Sequence, residues 1–528
     1  MIKIGIFMLI AFSLPALLNA QVKLVQKVVK KGNEIMIPFE KYILPNDLTV
    51  IISEDHSDPI VHVDVTYHVG SAREEIGKSG FAHFFEHMMF QGSDNVADKE
   101  HFKIITESGG TLNGSTNTDR TNYFETVPSN QLEKMLWLES DRMGFLLDAV
   151  TQFKFEIQRS TVINERAQNY DNRAYGLTRE VTAKALYPYG HPYSWLSIGY
   201  VEDLNRVNVD DLKNFFLRWY GPNNATLTIA GDVKTKEVLK MVEKYFGSIP
   251  RGPEVTPSEL EAVTLDKTRY TSYVDNYAKL PMLQITFPTV HDYHPDMAAL
   301  ACLAQVIGQG RNSLLFQNMV KPQKALQAGA FSSLSELAGI FTFMAIPLPG
   351  KNLADMEKLI HESLKDFEKT GVSDDDIQKF KIGFESRLIN SLASVSGKAA
   401  QLAAFQTYTG NPDMIGKLLK MYQDVTKEDV VRVFNKYLKD KPSVVTSVLP
   451  KGKEDLIAAP DNYVVDTSNY KKPDYEYEGL KYVKAKDNFD RKVMPPAGPN
   501  PVVNVPEFWK KTIFGNTQVI GVENNELP

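Results

Sequence analysis

Gly80-Phe81-Ala82-His83-Phe84-Phe85-Glu86-His87-Met88-Met89-Phe90 sets two imidazoles and a carboxylate in an otherwise apolar run. At about 100° per residue, His83 and His87 are i,i+4 neighbours on a helix and Glu86 is i+3 from His83. All three share one face, while Ala82, Phe85 and Met89 occupy another. Ionisable groups among aromatics must be paired, hydrogen-bonded or metal-bound. Two helical histidines one turn apart converge on a single cation at roughly 2.0–2.1 Å each, and the carboxylate between them suits a general base.

The chain around this stretch has 528 residues, 43% hydrophobic and 23% charged, which is too long for one core and predicts two or more domains. Residues 1–20 read as a secretory signal: Lys3 supplies the charged start, Ile4 to Leu18 the apolar core, and Leu18-Asn19-Ala20 a small-residue cleavage site before Gln21. An apolar run of about fifteen residues broken by Pro15 is short for a membrane span of about 20. No later segment resembles a transmembrane helix, so no stable membrane anchor is expected once the signal is removed. A net charge of −6 argues against nucleic acid as a partner. The single cysteine, Cys302, lies in an apolar segment and reads as packing, which excludes an internal disulfide, cysteine catalysis and a Cys-rich zinc site.

Outward from the helix, residues 21–40 read as a polar lead-in, and 42–54 as a hairpin turning at Pro45-Asn46-Asp47. Val61, Val63, Val65, Tyr67 and Val69 alternate with His62, Asp64, Thr66 and His68, the period of a strand with one face buried. His62 and His68 are accordingly expected to face solvent. Residues 99–108 form a helix ended by Gly109-Gly110, and 111–127, rich in Thr, Asn and Tyr, suit a sheet edge. Amphipathic helices follow at 130–147 and 155–168, the second carrying Glu165, then a helix at 209–219, a strand at 225–230 and a helix at 234–247.

Residues 248–262, with three prolines and little apolar content, mark a linker. Beyond it the grammar repeats: strands near 267–276 and 282–287, a helix at 295–308, strands at 326–335 and 340–347, helices near 353–370, 376–393 and 398–408, and a closing strand at 443–449. Like element order in two stretches of similar length predicts duplication. The expected domains are 38–250 and 263–450. Residues 451–508, with abundant Pro, Tyr, Lys and Asp and no sustained period, read as an extended linker. Residues 511–528 then align without gaps on 42–59, with Val50/Val519, Ile51/Ile520, Glu54/Glu523 and Pro59/Pro528 matching. Residues 509–528 are therefore read as the start of a further copy of the unit.

A catalytic zinc has three protein ligands and one open position. Glu165 is a candidate for the third, beside Arg166, a basic residue that would hold it ionised. Spacing alone does not separate that role from a solvated helix glutamate.

His83-Phe84-Phe85-Glu86-His87 has the order of the inverted zinc motif. Together with Gly70-Ser71-Ala72-Arg73-Glu74-Glu75, Asn113, Asp119-Arg120-Thr121-Asn122-Tyr123 and Tyr220-Gly221-Pro222-Asn223-Asn224, it resembles the pitrilysin/insulinase (M16) family, on its bacterial and mitochondrial-processing-peptidase branch, over residues 38–450. The resemblance implies an α+β fold of two homologous domains, each a mainly antiparallel sheet covered by helices, followed by the extended linker. It implies an exported zinc endopeptidase, periplasmic or secreted, that cleaves extended or unfolded peptides. His83, His87 and Glu165 would be the Zn2+ ligands, and Glu86 the base acting on a water acidified by the metal. Family substrates add to an edge strand through their backbone. Leu112-Asn113-Gly114-Ser115-Thr116 resembles that edge, Asn113 matching the substrate-contacting position, although a structural turn would read the same way.

Two departures stand out. Where many members carry an Arg and a Tyr in a partner half to clamp substrate and oxyanion, Val320 to Gln327 has Lys321 and Gln327, a loss worth about 3–4 kcal/mol if the pair acts as an oxyanion hole does. Where some relatives place a second glutamate before the third ligand, this chain has Gln158. The chain thus resembles the metal-bearing half of a two-half chamber. It is expected to need a homologous second half or partner M16 subunit, and to be a weak or inactive peptidase alone. The competing reading is a non-catalytic M16-fold subunit that binds peptides or scaffolds a complex.

Overall fold

The first sheet comprises β1 (Lys23–Val28), β2 (Phe39–Ile43), β3 (Thr49–Glu54), β4 (Ile60–Tyr67), β5 (Thr111–Thr116), β6 (Thr121–Pro128) and β7 (Ala225–Gly231), in the order β1-β2-β3-β7-β4-β6-β5. These strands come from a computed structural model that describes residues 21–528 except 33, 259, 469, 503–506 and 524–528. The expected export signal, residues 1–20, and the last residues of the 42–59 alignment lie outside the described residues. Neighbouring strands are antiparallel except β3 and β7. The expected polar lead-in contains β1, paired with β2. Its polar composition is that of an edge strand, with Leu24 and Val25 half-exposed.

The second sheet comprises β8 (Arg269–Asp275), β9 (Met282–Thr289), β10 (Ala325–Leu334), β11 (Gly339–Pro347) and β12 (Val444–Pro450), ordered β10-β11-β9-β12-β8. Its one parallel pair is β8 with β12. Read from the opposite end, β8-β12-β9-β11-β10 repeats β3-β7-β4-β6-β5, with the parallel pair in the same place. The duplication expected from element order is therefore a duplication of topology. Helices pack each sheet around its own core. In the first domain these include α1 (Phe81–Met88), α2 (Glu100–Glu107), α3 (Leu132–Phe145), α4 (Gln152–Arg166) and α5 (Thr178–Leu186).

The two domains are packed together, and this corrects the reading of β4. Helix Val395–Thr409 of the second domain lies across β4 and β7, where Val395 and Ala399 meet Ala230 and Ile60. The face expected to meet water is thereby covered. His62 is 3% exposed, lies 2.8 Å from Thr126 Oγ1, and burial pushes its imidazole down to about 4. His68 is not free in solvent either: its Nε2 lies 2.7 Å from Glu336 Oε2 in the β10–β11 turn. Neither belongs to a metal-ligand cluster among the described residues.

After β12 the chain runs extended over the first domain. Tyr475, Tyr477, Tyr482 and Phe489 pack against that core, and Arg491 is buried, donating to Ser140 Oγ at 2.7 Å and Tyr245 O at 2.8 Å. This linker is a docked strap. It leads to a hairpin, β13 (Phe508–Ile513) and β14 (Thr517–Val522), in the same register as β2–β3. Among the described residues no helix is long and apolar enough to cross a membrane.

Candidate metal centre

α1 starts where only glycine fits. Gly80 has φ +90°, and a Cβ there would sit 2.9 Å from Ile198 O and 3.0 Å from Gly199 Cα. Gly80 offers no side-chain cap, so the helix borrows one. Glu74 accepts from Gly80 N at 2.8 Å and Ala82 N at 2.9 Å, and from Trp195 Nε1 at 3.1 Å. Burial pushes the Glu74 carboxyl up to about 8, against the pull of these N–H donors. Sequence reasoning gives Glu74 no role, because the contact depends on how the 70–80 loop folds back.

Phe81, Ala82, Phe84, Phe85 and Met88 of α1 are buried, whereas His83, Glu86 and His87 keep partial access to solvent. Phe85 packs on Phe216 and Tyr220, with ring centroids 5.1 and 4.8 Å away, and Phe84 on Phe155 of α4 at 4.9 Å. The Phe84–Phe155 contact brings in α4, N-capped by Thr151, and so delivers Glu165. Its Oε2 lies 3.7 Å from His83 Nε2 and 3.2 Å from His87 Nε2. The ligand atoms of the three residues all lie within 4.8 Å of one another.

The donor set fits a zinc ion. Ligands about 2.0–2.2 Å from one tetrahedral ion stand roughly 3.3–3.6 Å apart, close to these separations. Burial, then the neighbouring His87, pushes the His83 imidazole down to about 4, leaving it neutral with a lone pair to give. The hydrogen bond with His87 is the main force holding the Glu165 carboxyl below its ordinary value. That corrects the expected role of Arg166, which turns away to Gly199 O at 2.6 Å and Glu180 Oε2 at 2.8 Å. His83 Nδ1 has no hydrogen-bond partner among the described residues, and Gln158 is buried on α4.

The Glu86 side chain reaches from α1 to β5. Burial raises its carboxyl above the ordinary value, and Thr116 Oγ1 donates to its Oε2 at 2.5 Å. Sequence reasoning places Thr116 on the edge strand but not against the base, since the contact joins separate elements. β5 is an edge of the first sheet. Asn113 is exposed on it, its Oδ1 accepting from Gly114 N at 2.9 Å. Lys321 and Gln327 lie in the second domain, exposed, with Lys321 Nζ donating to Gln317 Oε1 at 2.9 Å.

Residues 49–188 match the family described as Insulinase (Peptidase family M16), and residues 206–384 the Peptidase M16 inactive domain. Zinc protease PqqE of Helicobacter pylori is 30% identical over 418 residues, 78% of this chain and 93% of that protein. A probable mitochondrial-processing peptidase subunit beta of Arabidopsis thaliana is 24% identical over 77% of each chain. The crystal structure of a protease from Helicobacter pylori superposes with a TM-score of 0.73 at 28% identity, covering 78% of this chain and 99% of that one. The first half of the periplasmic protease PqqL from Escherichia coli gives a TM-score of 0.64 at 19% identity, covering 80% of this chain and 93% of that one. Against whole PqqL the match covers 48% of the longer chain.

Proposed function

Because this chain belongs to the M16 peptidase family, we propose that it is an exported zinc endopeptidase acting on extended or unfolded peptides, with His83, His87 and Glu165 as zinc ligands and Glu86 as general base. The observation that carries this reading is the convergence of three ligand atoms within 4.8 Å beside a carboxylate on the same helix face. Zinc held there would polarise the scissile carbonyl and lower the pKa of the attacking water. Glu86, its carboxyl raised by burial, would take the proton of that water and deliver it to the leaving amine. The open edge of β5, with Asn113 on it, would take the peptide backbone as an added strand, selecting extended chains over a strict sequence.

Export is supported by the signal-like residues 1–20. A facing half, fused or separate, is supported by two features. Lys321 and Gln327 stand where many members of the family carry a clamping Arg and Tyr. The β13–β14 hairpin leaves Ile520 60% exposed, whereas Ile51, its match in β3, is fully buried. A two-stranded hairpin alone is marginal in water, and a homologous half would supply the missing sheet.

Metal analysis tests the reading. About one zinc per chain, lost in His83→Ala and kept in Glu86→Gln without turnover, is the expected result. A metal-free protein would favour the scaffold reading, and Glu86→Gln at wild-type rate would remove Glu86 from the mechanism. High activity of the isolated monomer on unfolded peptides would contradict the need for a facing half.

A further inference from the structure

The helix that carries Glu86 does not itself hold the carboxylate; the edge strand does. Thr116, the last residue of β5, donates its hydroxyl to Glu86 Oε2 at 2.5 Å. Several contacts fix that hydroxyl's position. Thr116 is in register with Thr121 of β6, whose Oγ1 donates to Val69 O at 2.8 Å. The intervening turn is closed by Asn117 Oδ1, which accepts from Asp119 N at 2.7 Å and Arg120 N at 2.8 Å. Arg120 Nη1 reaches back to Ser115 O at 2.8 Å. The other carboxylate oxygen is left open: Oε1 has no hydrogen-bond partner among the described residues and borders Gly114, where a Cβ would stand 3.2 Å from it.

We propose that Thr116 is a positioning residue for the base, its hydroxyl pinning Oε2 so that Oε1 is free to take the water's proton. A glutamate side chain has three rotatable bonds, and an unpinned carboxylate spends little time aimed at its target. The same strand presents its outer edge to the peptide, so one side chain registers the base to the substrate. The inference rests on the reading of Glu86 as general base.

The test is single-turnover cleavage of a fluorogenic unfolded peptide by zinc-loaded protein in excess, which detects weak activity. Thr116→Val preserves shape and removes the donor. The rate of the chemical step is expected to fall about 10- to 100-fold, with half-saturation and zinc content unchanged, and Thr116→Ser should recover most of the loss. In a Glu86→Gln background, Thr116→Val should leave peptide affinity by fluorescence anisotropy unchanged. A zinc-loaded crystal structure of Thr116→Val should show the Glu86 carboxylate displaced. The proposal is overturned if Thr116→Val cleaves at the wild-type rate, if zinc or peptide affinity falls in step with the rate, if Thr116→Ser is as slow as Thr116→Val, or if Glu86 keeps its orientation. Thr116→Ala replaces Thr116→Val should the latter not fold. Full turnover by Glu86→Gln alone would instead defeat the base reading, independently of Thr116.

Discussion

Replacing Glu74 tests how α1, the helix that carries His83, Glu86 and His87, is held. Glu74→Ala orphans Gly80 N and Ala82 N, now bonded at 2.8 and 2.9 Å, while Trp195 Nε1 keeps a second acceptor in Ser71 O at 3.1 Å. Two buried donors left unsatisfied cost about 1–3 kcal/mol each, so about 2–6 kcal/mol is expected in all, more than the about 0.5–2 kcal/mol of an ordinary cap. That is a large share of a typical total stability of about 5–15 kcal/mol. Three of the tryptophans, Trp137, Trp195 and Trp219, lie in the first domain and none lies between residues 263 and 450, so urea unfolding followed by tryptophan fluorescence reports on this domain. His83 lies one residue beyond Ala82, so the variant should also surrender zinc to a competing chelator more readily. Glu74→Gln keeps one acceptor oxygen and should fall between the two. A Glu74→Ala protein within about 0.5 kcal/mol of wild type, the usual scatter of surface substitutions, and with unchanged zinc retention would refute the claim that Glu74 caps α1.

Other outcomes follow from the same packing. Arg142, 1% exposed, bonds Glu139 Oε1 at 2.7 Å and stacks on Phe90 and Tyr123 at 5.0 and 4.5 Å; Arg142→Met leaves buried carboxyls without their cation and should cost about 3–5 kcal/mol in urea unfolding. Burial pushes the Asp296 carboxyl up, but donors from Tyr437, Arg432 and Lys436 hold it well below the ordinary value. Its stabilisation is present above the unfolded value of about 3.9 and lost as pH falls below it, so Asp296→Asn should lessen the acid dependence of far-UV circular dichroism below about pH 4. Arg491→Met should free the strap and speed chymotryptic cleavage at Tyr482 and Phe489; an unchanged digestion rate would mean that the strap is held without Arg491. Zinc at a hundredfold its Kd should stabilise the protein by about 2.7 kcal/mol over the chelated form, and His83→Ala should abolish that difference.

What was legible in the sequence divides by the range of the contact. His83, Glu86 and His87 declare themselves because a helix turn repeats within a few residues, and the same holds for the strand alternation of β4 and the grammar shared by both domains. Glu165 lies on a different helix, and no period links it to His87; the family resemblance picked it out, and the contact of Phe84 with Phe155 brings it there. The burial of His62 depends on Val395 and Ala399 more than three hundred residues away, so alternation correctly marks two faces but cannot say that both are covered. β1 and the strap are harder still. β1 is polar because it is an edge, and the strap is held by single anchors such as Tyr482 and Arg491 that create no period. The same division runs through the site itself. Its candidate metal ligands sit on helices and are largely readable, whereas Glu74 and Thr116, each one hydrogen bond away from α1, are visible only once the loop and the edge strand have closed around the helix. Helix spacing therefore encodes the chemistry of this site, and long-range single contacts hold that chemistry in place.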